Sequence, residues 1–232
     1  MTSPDPTIRD GWAYEELAEG ITSGQFASSV DLIRRTALVH LRAEQVQART
    51  FAPLILTWLV AAGDRDRDAF ESVSAWYLAE TDTRGYDEQL GWLHAVAHGA
   101  DYLGECARAG IASGSEVLPL LARRVIAPGG VWRDQEDARI AHAAVLALAT
   151  CDAAQATGWL MLISEALDQF ENSAATGRPP AWLHNVYATC ATLYVTLVER
   201  AGDDSSSPAG DVPAALAGVM STMTPWLLAR EA

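Results

Sequence analysis

The chain has 232 residues, half of them hydrophobic, and a formal net charge of −14. It contains no lysine, which excludes Schiff-base chemistry, pyridoxal phosphate attachment and a P-loop lysine. The acidic balance argues against nucleic acid and anionic membranes as partners, because both need clustered positive charge. In chain order, Asp5-Pro6 supplies a cap and a first-turn proline for a helix over Pro6–Glu19, which Gly20 closes. Further helices are expected over Ala27–Gln45, over Thr50–Ala62 ending at Gly63, and over Arg67–Leu78. After the loop TDTRG the spacing predicts one long helix, Tyr86–Arg108. Ser115–Ile126, Gln135–Thr150, Ala153–Phe170, Pro180–Arg200 and Val212–Ala229 complete the set, and no alternation marks a strand.

The fold class expected is therefore all-α, about ten helices paired into hairpins of roughly 40 residues, as an irregular HEAT-like solenoid or bundle. Residues 1–201 read as a single helical domain, 202–211 as a flexible linker, and 212–232 as a C-terminal helix packed on the same domain. No apolar run reaches the ~18 residues of a membrane span, and no signal peptide is visible. Cys106, Cys151 and Cys190 are odd in number and far apart, which points to a reducing compartment, the cytoplasm.

The most informative stretch is Glu80–Cys106. On a continuous helix, Asp87, His94, His98, Asp101 and Glu105 share one side, opposite Leu90, Leu93, Val96, Ala97, Ala100 and Leu103. Gly91, Ala95 and Gly99 form a column of small residues beside them, where a second backbone or a ligand can approach closely. His94 and His98 are one turn apart, and Asp101 lies one turn further. That spacing can hold one divalent ion and leave a position open for water. The motif is HAVAH rather than HExxH, so no glutamate stands beside the first histidine as a general base. The alternative is a polar helix face whose histidines hydrogen-bond to neighbouring helices. Arg84, in the loop ahead of this helix, suits an anion or an internal ion pair with Asp82, Asp87 or Asp10. Asp10 can complement its own helix dipole or enter a pocket, and His184-Asn185 lies just inside a helix opened by Pro179-Pro180.

The segments DPTIRDGWAYEELAEGI, RTFAPLILTWLVAAGDRD and DTRGYDEQLGWLHAVAHGAD, with the helix around His184-Asn185 and its LYVTL run, follow in that order across most of the chain. Together they resemble a bacterial family catalogued only as a domain of unknown function, with the signature R-G-x6-W-x-H-x3-H-x2-D at Arg84–Asp101. The resemblance implies a compact all-α fold with helical-repeat character and brings no activity or cofactor. It directs attention to Asp10, Arg84, Gly85, Trp92, His94, His98, Asp101 and Asn185.

The leading expectation is a binding or interaction module with a polar pocket for a small polar ligand or a peptide. Its ligand-binding residues would be Asp10, Arg84, Asp87, Trp92, His94, His98, Asp101 and Asn185. One alternative is a metal-dependent hydrolase, with one divalent metal ion held by His94, His98 and Asp101 and an anionic substrate oriented by Arg84. The other is a pocketless protein-interaction scaffold.

Overall fold

A computed structural model describes residues 1–173, 177–201 and 210–228, and the protein in it is all-α apart from one minimal hairpin. The chain enters through a wide π-helical turn, Thr7–Ala13, that runs directly into α1, Tyr14–Thr22. Gly20 lies inside α1 instead of closing it. Phe26 folds back over it so tightly that a Cβ would stand 2.1 Å from the ring. The reversal falls at Gly24, where φ is 78°. A 3-10 turn at Ala27–Ser29 leads into α2, Val30–His40, which stops short of the expected Gln45. The apolar run then forms α3, Val46–Ala61, and Asp66 caps α4, Arg67–Ala79, by accepting the Ala69 N–H at 2.8 Å.

The long helix expected over Tyr86–Arg108 does not form as one piece. Its first third is an antiparallel hairpin, β1 (Tyr86–Asp87) and β2 (Gly91–Trp92), with Tyr86 opposite Trp92. Three causes defeat the helix, two of them local and one distant in the chain. The Asp87 carboxylate accepts the N–H groups of Gln89 and Leu90, each at 2.9 Å, and closes a turn. Gly91 takes φ 71°, outside the helical region. The buried Arg9 guanidinium donates to the carbonyls of Leu90, at 2.5 Å, and Trp92, at 3.2 Å, claiming acceptors that a helix would use internally. The helix proper, α5, is Ala95–Arg108.

Beyond it come α6, Gly114–Val125; α7, Glu136–Leu148; α8, Ala153–Gly158; α9, Leu160–Glu171; and α10, Ala181–Ala201. α11, Val212–Met223, and a final turn, α12, Pro225–Leu228, end the described chain. The expected linker at 202–211 falls mostly outside the described residues, as do 229–232. Val212 and Leu216 are fully buried, and one hydrophobic cluster runs from Ile21 to Met220. Each fully buried leucine in it, Leu103, Leu118 and Leu121 among them, contributes about 1.5–3 kcal/mol of transfer free energy. No helix among the described residues is long and apolar enough to cross a membrane.

At the centre α5 lies between α3 and α7. His94 meets Glu136, Asp101 meets Arg139, and Gly104 lies on Ala143, so α5 and α7 run in the same direction with α6 as the return. Their facing surfaces are small: a Cβ on Gly104 would stand 2.8 Å from the Ala143 Cα. This close parallel packing sets the N-termini of α5 and α7 side by side, and the candidate site opens there.

Candidate functional site

A cleft of about 320 Å³ is lined by Trp92, His94, Ala97 and His98 from one side and by Arg133, Asp134, Gln135 and Arg139 from the other. It is bordered by the residues that precede the two helices. His94 (φ 52°) precedes α5 and Gln135 (φ 67°) precedes α7. They are the two non-glycine residues with positive φ among those described. Left-handed backbone costs a side-chain-bearing residue about 1–2 kcal/mol. Neither residue offers a side-chain cap to its helix, in contrast to Asp66 on α4 and Asp152 on α8.

His98, one turn into α5, is buried with 7% of its surface exposed. Its Nδ1 lies 2.9 Å from the Thr50 carbonyl, which can only accept, so Nδ1 carries the proton and Nε2 presents a lone pair. Phe51 and His94 stand edge-on to the ring at centroid distances of 5.1 Å and 5.7 Å. Burial pushes the imidazole pKa down to about 3, with His94, Arg139 and Arg9 adding in the same direction and the Thr50 bond opposing them. His98 is therefore a neutral, fixed acceptor at ordinary pH.

His94 stacks on the half-exposed Trp92, 4.6 Å between centroids and 5° between planes. Its Nδ1 faces Glu136 Oε1 at 3.5 Å, a long ionic contact rather than a hydrogen bond, and neither atom has another partner. Burial pushes the Glu136 carboxyl up. His94 and the N–H of Asp134, which Glu136 Oε2 accepts at 2.9 Å, outweigh it and leave the group below the ordinary carboxylate range. Gly85 makes room for this pair of loops, since a Cβ there would stand 2.2 Å from Glu136 Oε1 and 2.4 Å from Asp134 Oδ2.

Of the expected ligand residues, Trp92, His94 and His98 line this cleft, and Asp101 lies at its edge through Arg139. The others sit elsewhere, for identifiable reasons. Arg84 is spent on Asp82, at 2.8 Å and 2.5 Å, and on Asp87, so the internal ion pair prevails over anion binding. Asp87 is the turn cap of the hairpin and leaves the helical stripe altogether. Asp10 is the partner of Arg9, with its two oxygens 2.6 Å and 3.0 Å from the guanidinium. Asn185 is buried on α10, accepting the Trp132 N–H at 3.0 Å and donating to the Gly130 carbonyl at 3.1 Å. It anchors the loop that carries Arg133 and does not enter the cleft.

The expected metal-ligand set is not assembled. Among the described residues no three His, Cys, Asp or Glu side chains converge on a point that an ion could occupy. His94 is turned out of the helical register onto Trp92, and both Asp101 oxygens are held by Arg139, so His98 Nε2 is left without the two partners the spacing had supplied. The small-residue column is likewise reduced to Ala95 and Gly99, because Gly91 belongs to the hairpin. Gly99 lies against Tyr77, whose ring a Cβ would meet at 2.2 Å.

Sequence reasoning passed over Arg9, Arg133, Asp134 and Gln135, and placed Glu136 and Arg139 only on the first turns of a core helix. DQED ahead of an apolar run is an ordinary helix start, and nothing local distinguishes an arginine that will be wholly buried from one on a surface.

The fold and site together define an all-α protein with a polar cleft at the joined N-termini of two parallel helices. Residues 38–195 match the family described as "Protein of unknown function (DUF2785)", and the chain belongs to that family. The match takes in every residue of the cleft and leaves the Arg9–Asp10 segment and α11 outside. No curated protein and no solved structure matches the chain.

Proposed function

We propose that the protein is a binding module for a small polar ligand, held between the N-termini of α5 and α7 with Trp92 as a wall and His98 Nε2 as a fixed acceptor. The observation that carries this reading is the pairing of two strained residues, His94 and Gln135, at one cleft. Strain of this kind concentrates at ligand sites, where the surrounding packing enforces it. The volume, about 320 Å³, is that of a small-molecule pocket and favours a small ligand over a peptide. A buried His98 also argues against a flat, pocketless scaffold surface. The test is a screen of polar fragments against the whole chain, read by Trp92 fluorescence and by the ring nitrogens of His94 and His98. Binding that shifts these signals and disappears in His98→Gln, with the fold retained by circular dichroism, supports the reading. Fragments that bind without touching these rings, or none at all, refute it.

A second reading, an acid–base site, is favoured by the His94–Glu136 contact, because a carboxylate behind an imidazole fixes the orientation of the ring. It requires Glu136→Gln to abolish turnover while ligand affinity survives. We place the protein in a reducing compartment, the cytoplasm. Three buried cysteines with no disulfide, Cys106, Cys151 and Cys190, agree with that placement.

A further inference from the structure

We infer that the ligand of the cleft is a small monocarboxylate carrying a hydrogen-bond donor, a hydroxyl or an amino group, next to its carboxyl. The inference rests on the reading of the cleft as a ligand site and names the chemistry that the site accepts.

The anionic end follows from two features. α5 and α7 are parallel with their N-termini side by side, and neither His94 nor Gln135 caps its helix. The first N–H of α7 is held by the Glu136 carboxylate, whereas the first turn of α5 has no side-chain cap from His94. Each such terminus is equivalent to about half a positive charge, and amides of this kind are a ready site for a carboxylate. Ala97, in the first turn of α5, and Gln135, just ahead of α7, both line the cleft. Arg133 lines it as well and makes no ion pair among the described residues, whereas Arg139, the other cation there, is committed to Asp101.

The donor is required by His98. It is more than nine-tenths buried, borders the cleft, and has Nδ1 occupied by Thr50, so its remaining polar atom toward the cleft is the Nε2 lone pair. A neutral imidazole in that state accepts and cannot donate, and a ligand that brings only acceptors leaves it unsatisfied. Total charge is limited from below. Asp134 lines the same cleft and Glu136 lies behind His94, so a second negative charge would face two carboxylates. This favours a monocarboxylate over a phosphate.

The experiment is a titration of the full chain with five matched probes: lactate, alanine, propionate, lactamide and inorganic phosphate. It is read by nitrogen–proton spectra of the His98 ring and of the Ala97 and Asp137 amides. Lactate or alanine is expected to shift these signals saturably, with a dissociation constant on the order of 1 mM. Propionate, which lacks the donor, and lactamide, which lacks the charge, are each expected to bind about tenfold more weakly or worse. Arg133→Gln, a surface change, is expected to weaken lactate or alanine by a similar factor with an unchanged melting temperature. Lactamide or propionate binding as well as lactate and alanine overturns the inference, as does phosphate binding more tightly than both. If all five probes leave the cleft signals unmoved while neutral fragments shift them, the ligand class is wrong and the ligand site stands. If fragments fail too, both readings fall.

Discussion

Replacing Arg9 with methionine tests whether the N-terminal segment is a clasp on the site. Arg9 has no exposed surface, and its guanidinium lies 4.9 Å over the Phe51 ring. It bonds Asp10 through Nε at 2.6 Å and Nη2 at 3.0 Å, and donates further to the carbonyls of Ser3, Leu90 and Trp92. Methionine keeps most of the stem volume and removes every donor. The Leu90 and Trp92 carbonyls then face a thioether, and Asp10 loses its cation. Removing one partner of a buried ion pair costs about 3–5 kcal/mol, and unmet bonds to a charged donor cost about 1.5–3 kcal/mol each. The Asp10 side chain is 23% exposed and can rehydrate, which favours the lower end, about 3–4 kcal/mol. For a chain of this length, each kcal/mol moves the melting temperature by about 2–4 °C, so Arg9→Met should melt roughly 6–16 °C lower. Urea unfolding followed by circular dichroism measures the loss, and amide exchange at Gly91 and Leu93 locates it in the hairpin. Unfolding within about 1 kcal/mol of the parent, with hairpin exchange unchanged, would refute the clasp.

Four other outcomes follow from the same geometry. In Gly114→Ala the new Cβ would meet the Ala147 carbonyl oxygen at 2.1 Å, so α6 must shift from α7; a loss of about 2–3 kcal/mol in urea unfolding is expected, and a neutral result would mean that the helices are not so close. Gln135→Gly relieves a left-handed backbone and should be neutral or stabilising by up to ~1 kcal/mol, whereas a clear destabilisation would show that the side chain holds the loop. Asn185→Ala leaves the Trp132 N–H and the Gly130 carbonyl unpaired, for a cost of about 2 kcal/mol and faster amide exchange at Trp132; protection equal to the parent's would count against the anchor. The His98 pKa is held near 3, against an ordinary value near 6.5, so between those values the unfolded chain binds a proton that the folded chain does not. Its contribution to stability therefore falls as pH drops through that window, by about 2 kcal/mol at pH 5. His98→Gln should flatten the slope between pH 7 and 5, and a His98 ring that titrates near pH 6 would defeat the assignment.

What was legible in the sequence was local. Apolar spacing announced the helices, Gly63 marked a helix end, and the absence of lysine and of long apolar runs removed whole classes of chemistry. His98, Asp101 and Glu105 do share one face of α5, as a 3.6-residue period requires. The errors begin where a distant group competes with that period. Asp87 and His94 fit the same stripe on paper, but Arg9 captures the carbonyls of Leu90 and Trp92, the chain forms a hairpin, and His94 leaves the helix in a left-handed conformation. The opposite wall of the cleft, Arg133 to Arg139, comes from a helix packed beside α5 through contacts such as Gly104 on Ala143. Periodicity states which side chains look the same way along one helix and says nothing about what they face. Residue types and their spacing determined that this chain is a set of helices, one of which carries an ionisable face of His98, Asp101 and Glu105. Only the packing of α7 along α5 decided that the face closes into a cleft, because close approach between elements far apart in the chain is fixed by the fit of whole surfaces and not by any local pattern.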